Sequence, residues 1–126
     1  MTQLLRIVAL SLALIAAPAW SAESMTPAKL AEQMQAGQAP LILDVRTEQE
    51  FLDGHIPGAR LIPHDKLGNY MDSLSDHKDA PVLVYCGTGK RAGKAAQQLE
   101  EAGFEQVLTL EGNFPGWNNG DRKVEP

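Results

Sequence analysis

The chain has 126 residues, 44% apolar and 21% charged, with a formal net charge of −5. That is one domain's worth of ordinary globular composition, and it speaks against a two-domain, disordered or collagen-like chain. No basic stripe marks it as a partner of nucleic acid or of an anionic membrane surface. A single cysteine, Cys86, excludes an intrachain disulfide and any zinc site built on several cysteines.

Arg6 and the amino terminus precede eleven uncharged residues, 7–17, and Pro18 ends the run before a stretch of small residues. This order of charge, apolar run and small residues is that of a secretory signal peptide, expected over residues 1–21. As a helix the run rises only about 16 Å, roughly half a bilayer core, so a permanent membrane anchor is not expected. Cleavage after Ala19 or after Ser21 fits; the second leaves the chain starting just before the first domain signals. Residues 22–126 lose only Arg6 among the charged groups, leaving 10 bases against 16 acids, net −6. A periplasmic or secreted protein is expected, with a single domain over residues 22–126 and its core at 26–119. Nothing suggests an obligate dimer, and a monomer is expected. Export makes Cys86 informative, because a spare thiol in an oxidising compartment risks unwanted disulfides. The alternative is a buried cysteine acting as a small hydrophobe.

Thr26-Pro27 predicts a helix start, with Leu30, Ala31 and Met34 on one face and Gly37 at the end. Leu41-Ile42-Leu43-Asp44-Val45 is a short apolar run suited to a buried parallel strand. Thr47 and Glu50 form a capping box, opening a short helix that stops at Gly54. Residues 55–58 read as a turn, 59–62 as a short strand and 66–74 as a helix of weak periodicity. Val82-Leu83-Val84-Tyr85 predicts a second buried strand. Residues 91–102 predict a helix with Ala92, Ala95, Ala96 and Leu99 on one face, followed by a strand at 107–110. The tail, rich in Gly, Asn and Pro, shows no periodic element. This alternation predicts an α/β domain: helices on both faces of a mostly parallel sheet of about five short strands.

Cys86-Gly87-Thr88-Gly89-Lys90-Arg91 falls between a buried strand and a helix. Open α/β sheets bind ligands beyond the carboxyl ends of their strands. Gly87 and Gly89 let the backbone curl so that successive N–H groups point inward as an anion nest. The next helix adds its positive end, and Lys90 and Arg91 add two cations. All of these favour a sulfur anion, the state in which cysteine is a nucleophile. The alternative is a glycine-rich turn with a buried cysteine and solvated bases.

The pattern Cys-x-x-Gly-x-Arg between strand and helix resembles the active-site loop of the rhodanese family of sulfurtransferases. Leu41-Ile42-Leu43-Asp44-Val45-Arg46, with Glu50-Phe51 and Gly54-His55-Ile56-Pro57-Gly58-Ala59, is similar to that family's N-terminal signature. Glu111-Gly112-Asn113-Phe114-Pro115-Gly116-Trp117 is similar to its C-terminal one, with Asn113 where the family usually has a second glycine. Asn tolerates the left-handed backbone better than most residues. The resemblance spans residues 26–119 and implies a three-layer α/β/α domain that works without metal or organic cofactor. It implies that Cys86 takes the outer sulfur of thiosulfate, releases sulfite and passes the sulfur from a persulfide to cyanide or a thiol. A protein sulfur acceptor fits the same chemistry, as does a persulfide carrier that serves one dedicated partner. The N–H groups of Gly87, Thr88, Gly89, Lys90 and Arg91 would hold the persulfide's charge, with Lys90 and Arg91 steering and clamping the anionic donor. Asp44 and Arg46 would brace the loop; the alternative is a surface ion pair of little consequence. Cysteine phosphatases and arsenate reductases of the related cell-cycle fold place five residues between Cys and Arg, whereas four stand here. A shorter ring suits a sulfur atom better than a tetrahedral phosphate.

Glu50 is read as a cap rather than an acid. His55 is expected to pack and hydrogen-bond in its turn, a general base being the alternative. His64 and His77 lack metal-spaced partners and are expected to be solvated. Phe114 and Trp117 read as C-terminal core anchors. Gly93, inside a helix, is expected to mark a close approach to the sheet.

Overall fold

A computed structural model describes residues 22–126; the expected signal peptide lies outside the described residues. Five strands form one sheet: β1 (Glu23–Met25), β2 (Leu41–Asp44), β3 (Arg60–Leu61), β4 (Pro81–Tyr85) and β5 (Gln106–Leu110). Their order is β1-β5-β4-β2-β3, and every pairing is parallel. Four α-helices flank it: α1 (Pro27–Gln35), α2 (Glu48–Asp53), α3 (Lys90–Glu101) and α4 (Asn113–Asn118).

The strands alternate between two cores, which is why they read as continuous apolar runs. In β4, Val82 and Val84 pack with Ala92, Ala95, Ala96 and Leu99 of α3. Leu83 and Tyr85 face the other way, with Leu30 of α1 and Trp117 of α4. The result is three layers, helices on both sides of a sheet buried on both faces. Cys86 continues the alternation of β4 and lies on the α3 side, fully buried.

Local chemistry sets the helix ends as expected. Thr26 Oγ1 accepts from the Lys29 N–H at 3.1 Å. Thr47 Oγ1 accepts from the Glu50 N–H at 3.2 Å, and Glu50 Oε1 accepts from the Thr47 N–H at 3.3 Å, closing the capping box.

The structure departs from the sequence reading in four places. Residues 66–74 do not form an α-helix; 3₁₀ turns run over His64–Tyr70 and Ser75–His77. Gly68 and Asn69 are poor helix formers, and only Leu67 and Leu74 of this stretch are buried. β1 pairs with the edge of β5 through three residues of no apolar pattern. Helix α4 occupies a tail that showed no periodicity. Gly93 does not approach the sheet: it is exposed, with no atom within 4 Å of where a Cβ would stand.

Candidate active site

The carboxyl ends of β2 and β4, neighbours in the sheet, bring two groups of residues together. The first surrounds Cys86. Its Sγ accepts from the Gly89 N–H at 3.0 Å and from the Ala92 N–H at 3.4 Å. Gly89 makes this possible at φ +96°, a left-handed conformation in which a side chain would be strained. Two backbone donors thus converge on one sulfur where the loop turns into α3, and the helix dipole adds to them.

Thr88 and Lys90 are exposed at the rim, Gly87 and Gly89 half-buried below it. Arg91 points across to α2: its two terminal nitrogens meet Glu50 Oε1 and Oε2 at 2.7 and 3.0 Å. Those hydrogen bonds, working against the cost of burial, hold the Glu50 carboxyl down at about 2. The same bonds strengthen the charge on Arg91. Gly87 lies directly beneath the pair, where a Cβ would stand 3.3 Å from an Arg91 terminal nitrogen. Glu50 therefore caps its helix, as expected, and also binds Arg91, a role its capping motif concealed.

The turn from β5 into α4 closes over Cys86. Gly112 and Asn113 are both left-handed, at φ +73° and +51°. That path brings the Phe114 N–H to the Cys86 carbonyl at 3.0 Å. It also brings Asn113 Oδ1 within 3.1 Å of the Cys86 N–H and 3.8 Å of Sγ. The backbone tolerance expected of Asn113 is confirmed. Its side-chain contact with the cysteine was missed, although a carboxamide in place of a glycine was a visible signal. Gly89, Ala92, Gly93, Ala96 and Asn113 line a groove of about 250 Å³ beside the loop.

The second group is buried. Asp44 is 0% and Arg46 5% exposed, so the alternative of a surface ion pair falls. Arg46 Nε reaches both Asp44 oxygens at 3.0 and 3.1 Å, and a terminal nitrogen donates to Asp44 Oδ2 and to the Gly54 carbonyl, each at 2.7 Å. Tyr85 donates its hydroxyl to Asp44 Oδ2 at 2.8 Å and accepts from the Ile56 N–H at 3.1 Å. Burial, and then the Asp44 carboxylate, push the Tyr85 phenol well above its ordinary range, so it remains a donor. The Arg46 guanidinium lies 4.3 Å from the centre of the Phe114 ring. This group does not hydrogen-bond the 86–91 loop; it meets the strand end at Tyr85 and the ring of Phe114, whose N–H donates to the Cys86 carbonyl.

His55 is 7% exposed, stacks on Phe51 at 3.6 Å and hydrogen-bonds the Phe51 carbonyl through Nδ1, a packing role as expected. Trp117 is buried and Phe114 half-buried. His64 is exposed and His77 half-buried. Among the described residues no group of three or more His, Cys, Asp or Glu side chains could hold a metal ion.

A parallel five-stranded α/β/α sandwich with a cysteine at the end of its central strand defines the class of protein. The rhodanese-like domain model matches residues 26–120, and the chain belongs to that family. It is 38% identical over 87 residues to the uncharacterized protein YqhL of Bacillus subtilis strain 168, covering 68% of each chain. It spans 68% of the length of that relative and 26% of the length of another, a probable adenylyltransferase/sulfurtransferase MoeZ of Mycobacterium tuberculosis that is 30% identical over 102 residues. Its fold is similar to that of a rhodanese-like domain protein from Staphylococcus aureus, with TM-score 0.72 and 31% identity over 82% of this chain and 96% of that one. It is also similar to a thiosulfate sulfurtransferase from Pseudomonas aeruginosa, with TM-score 0.74 and 25% identity over 82% of this chain and 20% of that one. Family and fold place the chain among proteins of sulfur transfer.

Proposed function

We propose that the chain is an exported sulfurtransferase in which Cys86 carries the sulfur. One observation bears most of the weight: the Gly89 and Ala92 N–H groups both point at Sγ. Donors fixed on a sulfur stabilise its anion without having to reorganise during the reaction. In the first step the Cys86 thiolate attacks the outer sulfur of thiosulfate. A new S–S bond forms at Sγ, the S–S bond of thiosulfate breaks, and sulfite leaves with the electron pair. In the second step cyanide or a thiolate attacks the terminal sulfur of the persulfide, and Cys86 departs as the thiolate. Thiosulfate as donor draws support from the exposed Lys90 at the rim and from the Pseudomonas neighbour. Gly87, Thr88, Gly89, Lys90 and Arg91 form the binding loop, and Asp44 and Arg46 support it. Neither step calls for a metal or organic cofactor.

A protein acceptor is a second reading, supported by the groove of about 250 Å³ beside the loop, whose small side chains would admit a slim thiol-bearing segment. The test is a thiosulfate–cyanide assay with mass spectrometry of the intact protein. Steady turnover and a mass gain of one sulfur on thiosulfate treatment are expected. Sulfur loading without turnover would favour the carrier reading, and the absence of both turnover and loading would overturn the proposal. Export is proposed from the character of residues 1–21. Cell fractionation should recover a chain lacking about 21 residues outside the cytoplasm, and full-length protein in the cytosol would defeat that part.

A further inference from the structure

Asn113 stands where the family pattern usually has glycine, and its side chain touches the cysteine at two points. Its Oδ1 accepts from the Cys86 N–H at 3.1 Å, and that bond decides how the amide is turned: oxygen toward the cysteine, nitrogen away. The same oxygen lies 3.8 Å from Sγ, in reach of the thiol proton. The sulfur thus meets two opposed influences. The Gly89 and Ala92 N–H groups favour the thiolate. The Asn113 oxygen accepts from S–H but faces S⁻ with a lone pair, so it favours the thiol. We propose that Asn113 is a positioning residue that pins the first amide of the loop and holds Cys86 back from ionising as fully as the N–H donors alone would allow. The functional meaning of this rests on Cys86 being the sulfur carrier; its test does not.

The charged and titratable groups nearest the loop are Lys90 and Arg91 of α3, Glu50 of α2, the Asp44–Arg46 pair at the end of β2, and Tyr85 of β4; farther along the same elements stand Lys94, Glu100 and Glu101 of α3, Glu48 and Asp53 of α2, and Glu111 before the Asn113 turn. Substitution at Asn113 leaves all of them in place. Asn113→Gly keeps the left-handed backbone, which glycine adopts freely, and with it the Phe114 N–H bond to the Cys86 carbonyl. It removes only the carboxamide. Asn113→Asp keeps the shape and puts a negative charge where the oxygen stands.

The experiment is an ultraviolet titration of thiolate absorbance in each chain. Cys86 is the single cysteine, so Cys86→Ser supplies the baseline to subtract. The thiolate should form at lower pH than in the parent in Asn113→Gly, and at higher pH in Asn113→Asp. A purely structural role would not produce shifts of opposite sign. An unmoved midpoint, or shifts of one sign in both variants, would overturn the proposal, and Asn113→Gly alone decides the direction should the other variant fold poorly. Loss of the thiosulfate reading would show instead as absent sulfur loading in the parent chain, with this titration unaffected.

Discussion

Arg91 of α3 and Glu50 of α2 meet in a two-bond fork at 2.7 and 3.0 Å directly over Gly87. The cation next to the candidate nucleophile is therefore held by the protein itself, and its planar fork is spent on a carboxylate that fits it. Lys90, one residue earlier, is exposed and takes part in no ion pair among the described residues. Two adjacent cations thus stand in different surroundings.

The Glu50–Arg91 pair should make the fold acid-sensitive. Glu50 is held at about 2 against an ordinary 4.5, so the folded state keeps this carboxylate charged where the unfolded chain would protonate it. The stability it adds is present above about pH 4.5 and drains away as pH falls toward 2. Glu50→Gln should melt lower than the parent at neutral pH by about 1 kcal/mol, or ~5 °C. The two melting curves should converge on approach to pH 2. A constant gap between them across that range would show that the pair does not contribute in this way.

Salt should separate the two cations. Lys90→Ala should raise KM for thiosulfate, with the effect fading as the Debye length shortens from ~10 Å at 0.1 M to ~3 Å at 1 M salt. Arg91→Ala leaves Glu50 unpaired and removes the side chain over Gly87. It should lower kcat and the melting temperature together, and salt should restore neither. Kinetics at low and high salt beside a thermal melt distinguish them; matching salt profiles and unchanged melting in both variants would refute the division.

Cys86→Ser should reduce sulfur transfer to the uncatalysed background and eliminate the mass gain on thiosulfate treatment. A serine oxygen can still accept from the Gly89 N–H, so far-ultraviolet circular dichroism should match the parent. Residual turnover above a few per cent would remove Cys86 from the mechanism.

The buried network predicts the largest losses of stability. Tyr85→Phe deletes the donor to Asp44 and the acceptor for the Ile56 N–H, both buried. It should cost about 1–3 kcal/mol. Asp44→Ala leaves Arg46, 5% exposed, without its counter-charge and should cost about 3–5 kcal/mol. Urea unfolding measures both. Equal, small effects would mean that the network is dispensable for the fold.

Much of this protein is legible in one dimension. The apolar runs of β2 and β4, the alanine face of α3 and the Thr47–Glu50 box are local patterns, and each appears where the sequence places it. So does the loop itself, because Cys86, its glycines and its two cations are contiguous and need only a strand before them and a helix after. Where local pattern was weak, tertiary contact decided. β1 is a strand because the edge of β5 offers it hydrogen bonds, and the Gly68-Asn69 stretch is wound tightly rather than α-helical. For Asp44 and Arg46 a surface ion pair stood as the alternative to a brace; the register that sets Asp44 beside Tyr85, and the ring of Phe114 over Arg46, bury them. Only the folded chain sets Glu50 against Arg91, 41 residues apart, and Asn113 against Cys86, 27 apart. Such pairings depend on where parallel strands end in space. Sequence periodicity reports the face of a strand or helix, but the neighbours at its end are chosen by the order of strands in the sheet.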